Sequence, residues 1–267
     1  VPFFRQKLTL LPNGALKKIY HRKEHPMKQR FSTRTRLVSA LLTLAMVFTF
    51  LPISPFAAAE SYVPLYNFPD EAFREYLKKF DTDDDTFLST AERRDVTEIN
   101  VSNKGITTLE GISYFPNLKK LGCSNNQLTE LDVSKNTELV TLDCSGNELT
   151  SLDVHENTAL EYLSCSKNQL TELNVRQNAA LQSLYCYNNQ LTKLDVSQNP
   201  ALVKLSCMVN PLTSLNVSQN PALKELYCYG NRLTKLDASK STELVTLDCS
   251  SNQLTSLNVS QNPALKE

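Results

Sequence analysis

The 267-residue sequence has no tryptophan, only three histidines and only six glycines. It also lacks the G-x-S-x-G, Walker A and G-x-G-x-x-G motifs, which place a nucleophile or cradle a phosphate group. No serine, cysteine or carboxylate stands in a recognisable nucleophile, acid or base arrangement. We therefore predict that the protein is not an enzyme.

The net charge of zero hides an uneven distribution, because residues 1–59 carry ten Lys or Arg residues and a single acidic residue, Glu24. Residues 60–267 consequently carry 18 basic and 27 acidic residues, a net charge of about −9. A net negative body repels phosphate backbones and anionic lipid surfaces. The charge pattern therefore argues against nucleic acid as a partner and against membrane insertion of the body.

Met27 opens a stretch with the three parts of a secretory signal. Four Lys or Arg residues precede an apolar run at 37–50 (LVSALLTLAMVFTF), and alanines at 57–59 supply the small residues that a signal peptidase requires. An uncleaved anchor is the alternative, but the run is shorter than the roughly 20 residues of a membrane span. We expect residues 1–26 to be an upstream extension without structure and residues 27–59 to be a signal peptide.

A 21-residue unit, L-x-x-L-x-C-x-x-N-x-L-T-x-L-D/N-V-S-x-N-x-x, recurs seven times over residues 118–264, and an eighth copy is cut short. A related unit at 96–117 forms a first coil. This length and leucine spacing are typical of leucine-rich repeats, in which stacked coils bury one continuous core. We predict a β-rich α/β solenoid over residues 96–267 with a parallel sheet on its concave face. The seven repeats begin at Leu118, Leu139, Leu160, Leu181, Leu202, Leu223 and Leu244.

Two rows of asparagine recur in the unit, one after the cysteine and one near the end of the repeat. Their amides can bond to backbone groups where the chain turns, and a polar binding surface is the alternative. Ser241 interrupts the second row. The first row is Asn126, Asn147, Asn168, Asn189, Asn210, Asn231 and Asn252, and the second is Asn136, Asn157, Asn178, Asn199, Asn220 and Asn262.

All seven cysteines occupy one repeat position, which usually holds an inward leucine. Neighbouring coils place Cβ atoms about 4.8 Å apart, whereas a disulfide requires about 3.8 Å. We therefore predict a ladder of free, buried thiols, with disulfides as the alternative. The cysteines are Cys123, Cys144, Cys165, Cys186, Cys207, Cys228 and Cys249.

The segment LKKLGCSNNQLTELDVSKN and its six successors resemble the internalins of bacterial surfaces, specifically those with a cysteine ladder. The segment VTEINVSNKGITTLEGISYFPNLKKL is similar to their first coil. The resemblance implies a right-handed solenoid, a helical amino-terminal cap and binding of a host or environmental partner. It names no ligand, because internalin ligands depend on concave-face residues. Since the sequence ends within a repeat, we expect it to be a fragment.

Residues 60–95 are predicted to form the cap. An amphipathic helix is expected over 69–80, and the segment 81–92 fits the loop of an EF-hand, whose oxygen ligands surround Ca²⁺. Thr86 stands where the loop normally has glycine, and a β-branched residue resists a positive φ. The alternative is an EF-hand-like cap that folds without metal. The predicted calcium ligands are Asp81, Asp83, Asp85, Phe87 (through its carbonyl), Ser89 and Glu92.

Side chains alternate along a strand, so the residues on either side of each cysteine should face solvent. Most of these are small and polar, but repeats four to six carry four tyrosines and a methionine. Tyrosine is favoured in interfaces, although cross-strand packing is an alternative reason for it. The predicted ligand-binding residues are Tyr185, Tyr187, Met208, Tyr227 and Tyr229, bracketed by Asp143 and Asp248.

Together these features predict a secreted or cell-surface binding module that engages a protein through its concave face. A glycan- or cell-wall-binding module is one alternative, with tyrosines stacking on sugar rings. A passive spacer for a further carboxy-terminal domain is another. His155, the only histidine in the repeats, is expected on the surface of a turn.

Overall fold

The computed structural model describes residues 7–10, 16–19 and 61–266. The chain divides into two compact units, Val1–Phe56 and Ala57–Glu267. In the first unit, β1 (Lys7–Leu10) and β2 (Leu16–Ile19) form an antiparallel pair with Lys7 opposite Ile19. We expected residues 1–26 to have no structure, whereas residues 7–10 and 16–19 form this strand pair. The predicted signal peptide lies outside the described residues.

The cap of the second unit is a helix–loop–helix closed by a short antiparallel strand pair. The helix expected over 69–80 begins later, at Glu71, because the Asp70 side chain accepts a hydrogen bond from Phe73 N (3.0 Å) and caps the helix. The last turn of the expected helix is a 3-10 helix. The elements are β3 (Val63–Pro64), a 3-10 helix (Leu65–Asn67), α1 (Glu71–Leu77), a 3-10 helix (Lys78–Phe80), β4 (Phe87–Leu88) and α2 (Thr90–Asp95).

The apolar face of α1 continues the core of the solenoid. Phe73 and Leu77 are fully buried, and Phe73 meets Phe68 edge-to-face with ring centroids 5.6 Å apart. The Tyr76 hydroxyl accepts a hydrogen bond from Asn100 N of the first coil at 2.8 Å. The cap therefore covers an apolar end that the first coil could not bury alone.

Every coil contributes one three-residue strand to a parallel sheet of eight strands in the order β13-β11-β10-β9-β8-β7-β6-β5. The register advances by one repeat, with Leu121 opposite Leu142 and Leu142 opposite Leu163. On the return side β12 pairs with β14 in parallel. The strands are β5 (Glu98–Asn100), β6 (Lys120–Gly122), β7 (Thr141–Asp143), β8 (Tyr162–Ser164), β9 (Ser183–Tyr185), β10 (Lys204–Ser206), β11 (Glu225–Tyr227), β12 (Lys235–Asp237), β13 (Thr246–Asp248) and β14 (Ser256–Asn258).

The two asparagine rows hold the coils together, as the structural interpretation predicts. Asn147 Nδ2 donates to Cys123 O (3.0 Å) and Cys144 O (2.9 Å), while its Oδ1 accepts from Leu128 N (3.0 Å). In the second row, Asn178 Nδ2 donates to the carbonyl oxygens of two residues in the preceding repeat. These bonds pair backbone groups that the turns leave outside the sheet.

The cysteine ladder is confirmed. All seven cysteines are free, six are buried and Cys249 is partly exposed. Burial raises the pKa of each thiol, to about 12 for Cys165 and Cys207. Such thiols are uncharged at neutral pH and act as small core hydrophobes. In the part of the chain that the structure describes, no helix combines the length and apolar character needed to cross a bilayer.

Candidate functional site

The outward face of the eight-stranded sheet carries the predicted ligand-binding residues. We call Tyr185, Tyr187, Met208, Tyr227 and Tyr229 the tyrosine patch. All five side chains are partly exposed. Tyr185 and Tyr227 lie on either side of Ser206 in register across β9, β10 and β11, so the patch is continuous over repeats four to six.

A lysine that the sequence analysis does not predict organises this face. Lys204 Nζ lies 5.6 Å from the ring centroids of both Tyr185 and Tyr227. It also lies 2.7 Å from the Glu225 carboxylate, and the Tyr227 hydroxyl donates to the same carboxylate at 3.1 Å. The two rings therefore share one cation, whose charge a neighbouring acid balances.

The titration of this pair follows from its contacts. The hydrogen bond from Lys204 lowers the pKa of Glu225, and the same bond raises the pKa of Lys204. Both groups are therefore charged at neutral pH, and together they add no net charge to the tyrosine patch. Burial, followed by the hydrogen bond to Glu225, raises the pKa of Tyr227 and keeps its hydroxyl protonated.

Tyr162 also joins this face, since its ring centroid lies 5.5 Å from that of Tyr185. Tyr162, Lys204 and Glu225 occupy the first position of their strands, three residues before the cysteine. The predicted ligand-binding residues come only from the two positions that flank each cysteine. Strand alternation was the available signal, because it places this third column on the same face.

Some small residues expected to face solvent are buried. Ser164 is 6% exposed, Ser206 2% and Ser166 0%. Ser206 has a tyrosine on each side in the sheet register, and Ser164 has Tyr185 on one side, so larger neighbours cover them. These serines therefore lack the solvent contact that we expected for residues beside the cysteines.

The two bracketing carboxylates differ in their distance from the patch. Asp248 lies opposite Tyr227 in the register of β11 and β13, whereas Asp143 is separated from Tyr185 by Ser164. Each carboxylate accepts a hydrogen bond at 2.6 Å from the hydroxyl of the serine two residues further along the chain. Asp248 borders the tyrosine patch directly, and Asp143 lies beyond it.

The cap loop brings three of the predicted calcium ligands together. Asp81, Asp83 and Asp85 each offer a carboxylate oxygen within 4.8 Å of the others. Asp81 accepts hydrogen bonds from Asp85 N (3.1 Å) and Thr86 N (2.9 Å). Thr86 adopts a φ of 71°, so the loop makes its sharp turn despite the β-branched side chain that argued against it.

Glu92, the predicted ligand at the end of the loop, is engaged elsewhere. Its Oε1 accepts from Thr82 N (2.6 Å) and Thr82 Oγ1 (2.8 Å), and its Oε2 accepts from Ser89 N (2.8 Å). Burial favours the neutral acid, but these hydrogen bonds outweigh it and lower the pKa of Glu92 to about 2. Ser89 Oγ in turn accepts from Glu92 N, which completes a capping box at α2. Phe87 N donates to Asp85 Oδ1 at 2.8 Å.

Comparison with known proteins agrees with this geometry. The family profile described as Leucine Rich repeats (2 copies) matches residues 221–264. The functional domain of InlJ from Listeria monocytogenes, which includes a cysteine ladder, is 36% identical over 77% of this chain and 51% of that chain, with a TM-score of 0.63. No curated protein sequence matches significantly.

Two further structures share the fold. Internalin C2 from Listeria monocytogenes is 25% identical over 77% of this chain and 94% of that chain, with a TM-score of 0.69. A leucine-rich repeat protein of Leptospira interrogans is 26% identical over 66% of this chain and 49% of that chain, with a TM-score of 0.63. The chain spans about half the length of the InlJ and Leptospira structures.

The stacked coils, their parallel sheet and their leucine rows define a leucine-rich repeat protein. With one cysteine at the same position of every 21-residue repeat, the chain is internalin-like and resembles the InlJ domain that includes a cysteine ladder. This fold points to a protein–protein interaction module, that is, to a binding scaffold.

Proposed function

We propose that the chain is an exported binding module that engages a protein partner through the tyrosine patch on the concave face of its sheet. The observation that carries the proposal is the concentration of four tyrosines and one methionine in repeats four to six, at positions that hold Gly, Ser or Asp in the other repeats. Solenoid curvature forms extended binding surfaces, and aromatic side chains supply much of the energy at interfaces.

The environment of the rings favours a protein over a glycan. A sugar stacks on an open aromatic face, but Lys204 lies over the rings of Tyr185 and Tyr227, and Tyr162 packs against Tyr185. These rings offer their edges and hydroxyl groups more readily than their faces. Such groups suit the mixed apolar and hydrogen-bonding contacts of a protein interface.

Export of the module is supported by the predicted signal at residues 27–59 and by the resemblance to internalins. A secreted or cell-surface location also suits a net acidic body. Detection of a mature protein that begins near Glu60 in the culture supernatant or cell wall fraction would support export. Retention of the intact chain in the cytosol would contradict it.

The tyrosine patch is tested by the double variant Tyr187→Ser, Tyr229→Ser, with Tyr66→Ser as the matched control. Tyr66 is 75% exposed and lies in the cap, away from the sheet face. We expect the double variant to weaken adhesion to extracellular-matrix proteins, at a cost of about 2 kcal/mol or more. Its melting temperature should change little, since exposed substitutions usually alter stability by less than about 0.5 kcal/mol each. The control should retain adhesion.

Two outcomes would contradict this proposal. Unchanged adhesion with a large fall in melting temperature would make the tyrosines part of the packing. Binding to a glycan array, lost in the double variant and without any protein ligand, would favour the sugar-binding alternative.

We also propose a weak structural calcium site in the cap loop, supported by the close approach of Asp81, Asp83 and Asp85. Three carboxylates held together repel one another, and Ca²⁺ prefers such hard oxygen ligands. Burial, followed by the charge of Asp85, raises the pKa of Asp83, so repulsion contributes to this shift. When bound, the ion would offset this repulsion and hold the loop in its turn.

Calcium should raise the melting temperature, because a ligand that binds only the folded state stabilises it. Asp83→Asn should abolish that shift, whereas Asp84→Asn, at an adjacent loop position outside the carboxylate cluster, should keep it. Titration calorimetry provides the second readout. No heat at millimolar calcium, together with an unchanged melting temperature, would leave a metal-free cap held by the Glu92 hydrogen bonds.

A further inference from the structure

Repeat five departs from the other repeats in the turn that follows its strand. Val209 lies at a left-handed position with a φ of 52°, a region that disfavours β-branched residues. Its side chain is nevertheless 41% exposed, so the strain brings no burial in return. The equivalent residues are Asn125, Gly146, Lys167, Asn188, Gly230 and Ser251.

Pro211 is a second costly departure in the same turn. In the neighbouring repeats the equivalent backbone N–H donates to the preceding coil, as in Gln190 N to Leu170 O and Arg232 N to Leu212 O, each at 2.8 Å. Proline has no N–H and cannot make this bond. Two changes on either side of Asn210 in repeat five thus replace favourable scaffold residues with apolar ones.

The charge beside this turn also changes along the solenoid. Repeats four to six present Lys193, Arg232 and Lys235, all exposed and none in an ion pair among the residues that the structure describes. The six equivalent positions in repeats one to three carry no base; three of them hold an acid and the others hold Gln or Ser. These acids are Glu130, Glu148 and Glu172.

We propose that Val209, Pro211, Lys193, Arg232 and Lys235 form a second binding surface, the basic rim, which takes an acidic segment of a protein partner that carries an apolar residue. Coils stack about 4.8 Å apart, so the coils of repeats four and six, which carry the three cations, flank the coil of the apolar pair and lie roughly 10 Å from each other. This apolar pair, in which Val209 is exposed and Pro211 is partly exposed, lies amid unpaired positive charge and is complementary to an apolar residue flanked by carboxylates.

The basic rim deepens the proposed function, on which it rests for the protein nature of the partner. Met208 of the tyrosine patch directly precedes Val209, so one partner can contact both surfaces. Because the backbone of Val209 is strained at an exposed position that serves no packing, we infer a binding role for this residue.

The probes are four fluorescein-labelled peptides, EEELEEE, EEESEEE, SSSLSSS and KKKLKKK, measured by fluorescence anisotropy against the protein at low ionic strength. We expect EEELEEE to bind at least tenfold more tightly than each of the other three. Its affinity should fall as salt is added, because the contacts of exposed charges are screened.

Val209→Asn installs the residue found in repeats one and four. It should raise the melting temperature by relieving strain while reducing EEELEEE binding to the level of EEESEEE. A merely structural role for Val209 would not couple a gain in stability to a loss of binding. The triple variant Lys193→Ser, Arg232→Gln, Lys235→Ser uses residues of other repeats and should reduce EEELEEE binding to the level of SSSLSSS.

Equal affinity for the four peptides would overturn the basic rim, as would Val209→Asn binding EEELEEE as tightly as the parent protein. Heparin binding that matches EEELEEE and ignores Val209→Asn would also overturn it, in favour of a nonspecific polyanion site. The variant Tyr187→Ser, Tyr229→Ser should leave peptide binding unchanged. The experiments can therefore contradict the basic rim without contradicting the tyrosine patch, and they can contradict the patch without contradicting the rim.

Discussion

At the scale of single residues, the cysteine position shows how a small apolar group serves a repeated core. The six cysteines from Cys123 to Cys228 are 0% exposed, and Cys144 Sγ contacts Ser164 O at 3.5 Å. Because reactivity requires the thiolate, burial that raises a thiol pKa also makes it inert. The ladder can therefore remain reduced without protection by a reducing environment.

Thiol counting tests this directly. The native protein should react quickly with a thiol reagent at no more than one site, Cys249, which alone is partly exposed. After unfolding without reductant, all seven cysteines should react. One or fewer reactive thiols in the unfolded protein would show that disulfides had formed instead.

His155 lies on the surface of its turn, as expected, and forms a short network. Its Nδ1 lies 2.8 Å from Asp153 Oδ1 and its Nε2 lies 2.9 Å from Glu156 Oε1. The hydrogen bond to Asp153, followed by the charge of that carboxylate, raises the pKa of His155.

We therefore expect an NMR titration to give His155 a pKa above that of an unfolded-chain histidine, and Asp153→Asn to lower it. A raised folded-state pKa means that the stabilisation is complete below the unfolded pKa and is lost as pH rises through the folded value. Asp153→Asn should accordingly matter more at pH 5 than at pH 8. Identical titration of His155 in both proteins would show that this hydrogen-bond network does not form in solution.

At the scale of elements, one carboxylate joins the cap to the first coil. Asp70 Oδ1 accepts from Phe73 N (3.0 Å) and caps α1, while Oδ2 accepts from Thr107 N (2.8 Å) and Thr107 Oγ1 (3.1 Å). Burial favours the neutral acid, but these hydrogen bonds outweigh it and lower the pKa of Asp70. The helix start and its docking thus depend on the same side chain.

Asp70→Ala should destabilise the protein by about 1–2 kcal/mol, the upper part of the range for a lost helix cap. Glu71→Ala, one residue further along α1, should cost much less, because no side-chain hydrogen bond of Glu71 is found in the described structure. Urea unfolding of the two variants gives the comparison. Equal losses would show that Asp70 acts only through the charge of the first turn.

The elements themselves were predictable to differing degrees. The repeat fixes which residues alternate inward, so strands, core rows and sheet order followed from the 21-residue period. The helix over 69–80 was predicted too long, because the pattern does not show that Asp70 caps the helix and that Glu71 is its first residue. Thr86 was expected to resist a positive φ, yet the loop imposes that conformation through the hydrogen bonds to Asp81.

At the scale of the whole molecule, the binding face was only partly predictable. The tyrosine patch stands out in the sequence because its members break a repeated pattern. The contacts of Lys204 with Tyr185 and Tyr227 did not stand out, since they join three different strands and depend on rotamers that the period does not determine. The strain of Val209 likewise became visible only with its φ angle.

The second asparagine row determines how firmly successive coils are joined, and Ser241 is its weak point. Asn220 Nδ2 donates to Val196 O (3.0 Å) and Asn199 O (2.9 Å) of the preceding repeat. Ser241 Oγ reaches only Val217 O, at 3.4 Å. The junction between repeats five and six therefore lacks a bond that the earlier junctions have.

Ser241→Asn should strengthen that junction by supplying bonds to Val217 O and Asn220 O. Each buried hydrogen bond contributes about 1 kcal/mol to stability. The Oδ1 atoms of this row, as in Asn199, have no hydrogen-bond partner among the described residues, and burying such an atom costs stability. The net gain from Ser241→Asn should therefore be about 1 kcal/mol. Asn199→Ser, the reverse change at an intact junction, should cost about 1–3 kcal/mol.

The location of the effect is the more decisive readout, because each repeat of a solenoid contacts only its neighbours. Hydrogen exchange should show that Ser241→Asn slows amide exchange in repeats five to seven and leaves the cap unchanged. Asn199→Ser should instead speed exchange around repeats three to five. A uniform change along the chain in both variants would mean that the solenoid unfolds as one cooperative unit, in which no single junction limits its stability.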